Sequence, residues 1–136
     1  IEEFFGHWRM VVIYFVSAFF GNPTSAVFMP STVSAGASTA IFGLFGAFLM
    51  LGVCFHHNVI VRVLSRTFLL FVIINIVMDF FLSGVDLVGH IGGLFGGFFI
   101  AFIVGAPMLG TVDYLKWLLS GAVLTVSLVI LTLELK

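Results

Sequence analysis

The sequence predicts an all-α protein, a polytopic bundle of about five transmembrane helices, and three observations carry that prediction. Of 136 residues, 62% are hydrophobic and 8% charged, with eighteen phenylalanines, more apolar surface than a water-facing globule can hide. The apolar residues come in continuous runs rather than in alternation, which selects helices over strands. Several of these runs approach the roughly 20 residues that a helix needs to cross about 30 Å of hydrocarbon. Backbone inside lipid must find its hydrogen bonds within its own segment, and a helix does this by itself.

The formal net charge is −1 and the five Lys and Arg are scattered, a pattern that fits neither nucleic-acid binding nor a polybasic lipid patch. The one cysteine, Cys54, ends an apolar run and has no second cysteine in the chain to pair with. The sequence starts at Ile1 without the basic n-region and cleavage site of a signal peptide. It therefore reads as part of a longer protein.

The first span is expected over about Glu3–Phe20. Its purely apolar stretch, Met10–Phe20, is short, so the helix must reach back through Trp8 and Arg9, which suit the interface. Asn22-Pro23 is expected to end it, with a loop over 22–35. The second span is Gly36–Cys54. His56, His57, Asn58, Arg62 and Arg66 form a polar connection to a third span from about Phe68 to Leu82. Ser83-Gly84-Val85-Asp86 reads as a tight turn into a fourth span at about 86–105, and a fifth runs over about 117–133, after Asp113 and Lys116. With the first span running outward, Arg9, Arg62, Arg66 and Lys116 all fall on the inner side and only Lys136 on the outer, as the bias of basic residues to the cytoplasm favours. Ser38 and His90 then both lie near the outer face, because the spans that carry them enter from that side. Asp86 precedes His90 by about 6 Å of helix, about one turn.

Two residues stand out chemically. Ser38 follows Gly36 and Ala37 at a helix start, where the positive end of the helix dipole suits a developing oxyanion; small residues and serine are also ordinary packing material between membrane helices. His90 is ionisable within an apolar span and by default a functional candidate, with an interhelical hydrogen bond as the plainer role. Around it Gly89, Gly93 and Gly97, with Gly92 and Gly96, make overlapping GxxxG spacings that permit close helix approach. On a helical wheel Gly93 and Gly97 fall within about 60° of His90, whereas the small stripe Ala40, Gly43 and Ala47 lies roughly opposite Ser38. Periodicity leaves contact between Ser38 and His90 open.

The remaining polar residues have plainer roles. His56 and His57 belong to a solvated connection on the inner side, and with Asn58 they lack the spacing of a metal site. Asn75 suits a hydrogen bond to a neighbouring helix. Asp79 and Asp86 suit interfacial hydration or stabilisation of a helix start, with Asp86 also able to orient His90.

The runs IEEFFGHWRMVVIYFVSAFFG, GASTAIFGLFGAF and VDLVGHIGGLFGGFFIAFIVG resemble, in order, the third, fourth and sixth transmembrane helices of the rhomboids, the intramembrane serine proteases. The likeness extends to about Gly105, which makes residues 1–136 a partial rhomboid-like membrane domain with one extra C-terminal helix. It implies that Ser38, in the place of the serine of the family's GxSG motif, is the nucleophile and His90 the general base. Gly36 and Thr39 occupy the flanking motif positions, Thr39 where the family has its second glycine, and backbone N–H groups at Ser38 contribute to an oxyanion hole. The family's first two helices, with the His and Asn that support its oxyanion, have no counterpart here, and His7, His56 and His57 do not replace them.

The expected function is thus endoproteolysis of transmembrane protein substrates near the outer membrane face, within the lipid bilayer and without a metal or soluble cofactor. The alternatives are a catalytically inactive rhomboid that binds client helices, to which Thr39 points, and a transporter or channel component with His90 and Asp86 along a polar path. Substrate, organelle and oligomeric state are left open by the sequence.

Overall fold

A computed structural model describes residues 2–28, 36–82 and 85–134 of the chain. A short helix α1 (Glu2–Phe5) leads into α2 (His7–Phe28), α3 (Gly36–Cys54), α4 (Val59–Phe81), α5 (Leu87–Val104) and α6 (Tyr114–Glu134). Five of these, α2 to α6, are long and apolar enough to cross a membrane. The protein is an integral, multi-pass membrane protein with an all-helical fold. Its outer surface is oily where a soluble protein's is polar: Phe15, Phe19, Leu70, Val77, Phe80, Val126 and Ile130 are all exposed, as lipid-facing positions should be.

The helices α2, α3 and α5 pack on one another and form the centre of the bundle, while α4 lies mainly against α3 and α6 mainly against α5. The bundle is filled differently at its two ends. Phe5, Ile13, Phe48, Met50, Leu51, Phe55, Val61 and Phe102 make one continuous core at the end where α2 and α4 begin and α3 and α5 finish. Toward the other end the helices approach through glycines. A side chain on Gly97 would strike the backbone of Gly43, one on Gly93 the backbone of Thr39, and one on Gly96 the side chain of Phe20. Gly89 differs, since a side chain there would meet the Asp86 carboxylate of its own helix.

Hydroxyl residues sit opposite several of these glycines: Ser17 on Gly43, Thr24 on Gly92, Ser65 on Gly52. Each returns its proton to its own helix, Ser17 Oγ donating to Ile13 O at 2.6 Å, Thr24 Oγ1 to Phe20 O at 2.6 Å and Ser65 Oγ to Arg62 O at 3.2 Å. The small volume allows close packing, and none of these three hydroxyls is stranded.

Three boundaries differ from the sequence expectation. Asn22-Pro23 does not end the first span; α2 continues to Phe28. Proline removes one N–H and crowds the preceding turn, yet membrane helices tolerate it inside a span, and Pro23 lies within α2 here. The helix also starts anew at His7, because Gly6 takes a left-handed φ of 83° that separates α1 from α2. Of the loop expected over 22–35, residues 22–28 are therefore helical and 29–35 lie outside the described residues, as do Ser83 and Gly84 of the expected turn.

The third span begins at Val59 rather than Phe68. Asn58 caps it, its Oδ1 accepting from Ile60 N at 3.0 Å and Val61 N at 3.3 Å, so Arg62 and Arg66 are helical with exposed side chains that suit snorkelling. Asn75 is the other departure, since its Nδ2 donates to Phe71 O of its own helix at 2.7 Å rather than to a neighbour.

The end of α5 shows how a carbonyl terminus is satisfied in a membrane protein. Gly105 caps it with φ 72° and donates to Ala101 O at 2.9 Å. Arg9 Nε donates to Val104 O at 2.9 Å, and Trp117 Nε1 to Ile103 O at 3.1 Å. Residues from α2 and α6 thus close the exposed carbonyls of the central helix.

Candidate active site

Chain direction brings the site together. With α4 between them, α3 and α5 run in parallel, so Ser38 in the first turn of α3 and His90 in the first turn of α5 share one end of the bundle. The Oγ of Ser38 lies 3.0 Å from Nε2 of His90, hydrogen-bond distance for a hydroxyl donating to an imidazole. Phe42, one turn after Ser38, stacks on the His90 ring with centroids 4.3 Å apart and planes 10° from parallel. His90 is 7% exposed.

The wheel left this contact open because the α3–α5 seam shares only Gly43 with the stripe opposite Ser38 and otherwise runs nearer to the serine. It is made by Thr39, Gly43 and Gly46, which meet Gly93, Gly97 and Leu94, and on α3 those residues lie roughly 80–140° from Ser38. Ser38 stands beside the seam and the His90 side chain reaches across it.

The other nitrogen of His90 is also engaged. Its Nδ1 lies 2.5 Å from Oδ2 of Asp79, and the two side chains are 9% and 12% exposed. Asp79 is in the last turn of α4, which brings it to the same end as the starts of α3 and α5. Interfacial hydration, the role expected for it, is therefore not what its carboxylate does. The signal that would have found it is an ionisable residue within an apolar span at the depth of the histidine. Asp86 does stabilise a helix start: as N-cap of α5 its Oδ1 accepts from Gly89 N at 2.8 Å and from Ser25 Oγ at 2.8 Å, which ties α2 to the head of α5.

Thr39 is fully buried. Its methyl lies where side chains on Gly21 and Gly93 would stand, so it fills the angle between α2 and α5. Gly36 opens α3. His56 and His57 are exposed at the opposite end, where His56 Nδ1 is 3.3 Å from Val53 O. His7 pairs with Glu2 at 3.2 Å, also at that end.

The fold and this geometry define a class, a multi-pass membrane helix bundle with a serine and a histidine in contact at one end. The Rhomboid domain profile matches residues 1–107, and the chain belongs to the rhomboid family. It is 39% identical over 124 residues to the rhomboid protease GluP of Bacillus subtilis, covering 91% of this chain and 24% of that protein. It is 36% identical over 107 residues to RHOMBOID-like protein 4 of Arabidopsis thaliana, 76% of this chain and 26% of that one. A third relative, rhomboid-like protease 1 of Toxoplasma gondii, is 32% identical over 127 residues, 90% of this chain and 43% of that protein. The chain thus spans about a quarter of the length of the first two. No solved structure matches it.

Proposed function

We propose that this chain carries the reacting pair of an intramembrane serine endopeptidase that cleaves transmembrane protein substrates near the outer membrane face. The observation that carries the proposal is the 3.0 Å approach of Ser38 Oγ to His90 Nε2. Membership of a family with relatives named as proteases supports it.

The chemistry follows from those two groups. Ser38 Oγ attacks the carbonyl carbon of a substrate peptide while its proton passes to His90 Nε2. The negative charge on the carbonyl oxygen develops beside the start of α3, whose dipole favours it. When the intermediate collapses the C–N bond breaks, and Nε2 returns the proton to the leaving nitrogen. Water then attacks the acyl-Ser38 ester, His90 takes its proton, and release of the new carboxyl end restores the serine hydroxyl. Substrates need a segment that unwinds locally, since a fully bonded helix hides its carbonyls.

Thr39, the residue behind the alternative of an inactive client-binding protein, has its side chain committed to packing between α2 and α5, while Ser38 faces His90. That arrangement favours the protease.

A fluorophosphonate probe applied to the intact protein in lipid tests the proposal. The wild type should be labelled, and Ser38→Ala and His90→Ala should each lose the label. A folded wild type that is not labelled refutes it.

A further inference from the structure

We infer that Asp79 is a positioning residue for His90, so that the serine and histidine work with an orienting carboxylate supplied by a third helix. The inference rests on the reading of Ser38 and His90 as the reacting pair and extends it. An ionised carboxylate has only acceptor sites. Held 2.5 Å from Nδ1, it fixes the ring proton there and leaves the lone pair of Nε2 facing Ser38, the tautomer that a general base requires. Once Nε2 takes the serine proton, the ring is a cation in contact with an anion, in surroundings of low dielectric where that contact is strong. Asp79 accepts a hydrogen bond throughout and takes no proton.

The direction of the Asp79 side chain argues for the role. Its neighbours in sequence, Met78, Phe80 and Phe81, are 54%, 73% and 80% exposed on the lipid side of α4, whereas the Asp79 carboxylate is turned inward onto the histidine. The carboxylate nearer in sequence is committed elsewhere, since Asp86 holds Gly89 N and Ser25 Oγ. The two acids divide the work: Asp86 joins α5 to α2, and Asp79 sets the ring.

The experiment measures the fluorophosphonate labelling rate of the intact protein in lipid for the wild type, Asp79→Asn and Asp79→Ala, with Ser38→Ala as the blank. It adds the ¹⁵N shifts of the His90 ring in the wild type, assigned by difference from His90→Gln. Both Asp79 variants should label at least about tenfold more slowly than the wild type, as when a serine–histidine pair loses its orienting acid. The wild-type ring should carry its proton on Nδ1 with Nε2 bare. Equal rates in the wild type and both variants overturn the role of Asp79 and leave the pair intact. An unlabelled wild type overturns the pair itself, and the inference with it. Should the variants not fold, the wild-type ring decides: a proton on Nε2, alone or with one on Nδ1, overturns the inference, and Nδ1–H with bare Nε2 supports it.

Discussion

On the proposed reading Ser38 Oγ is the atom that bonds to substrate, so Ser38→Ala should keep the fold and lose the chemistry. Thr39 beside it should behave in the opposite way. Its Oγ1 is buried with no hydrogen-bond partner among the described residues, and a buried hydroxyl without a partner costs stability. Thr39→Val, which keeps the branched shape, should therefore raise stability by about 1–3 kcal/mol, seen as a higher melting temperature, and leave fluorophosphonate labelling intact. A large loss of labelling in a well-folded Thr39→Val protein would show that the hydroxyl serves the site. Asp79 is the residue whose role sequence reasoning missed. In the sequence it reads, like Asp86, as an interfacial acid, and only the end-to-end arrangement of α4 against α5 shows that its carboxylate meets the histidine.

Among the elements, α5 is the one with least freedom. Its glycines bring it against α2 through Gly92 and Gly96 and against α3 through Gly93 and Gly97. A methyl on Gly97 would meet only backbone atoms of Gly43, which cannot move aside as a flexible side chain can. Gly97→Ala should therefore cost about 1–3 kcal/mol, seen as a lower melting temperature, and slow labelling by widening the gap between Ser38 and His90. Unchanged stability would mean that α3 and α5 are less closely joined than this packing requires. The spans of α3 and α5 were legible in the sequence because their apolar runs are unbroken and a glycine or polar residue stands at each boundary. The end of α2 and the start of α4 were not. The rule that Asn-Pro ends a helix belongs to water, where a freed carbonyl is readily hydrated, and two arginines resemble a loop until Asn58 is seen to cap the helix that carries them. The Ser38–His90 contact was half legible: chain direction gave the shared depth, but the wheel could not show a seam that passes to one side of the serine.

For the whole molecule, the first turns of α2, α4 and α6 carry Arg9, Arg62 and Lys116 at the end opposite Ser38 and His90. If the bias of basic residues governs insertion, the reacting pair faces away from the cytoplasm. Single cysteines test this in a Cys54→Ala background: an impermeant maleimide added to intact cells should modify Val85→Cys at once and His57→Cys only after the membrane is opened. The reverse pattern would turn the molecule over. Whichever way it lies, anchoring charge and reacting pair belong to different aqueous phases. On the proposed reading the water for hydrolysis comes from one compartment, while the basic residues at the other end of the bundle meet the opposite one. A charge added or removed at Arg9, Arg62 or Lys116 thus acts on how the bundle is held from the side of the membrane opposite Ser38 and His90.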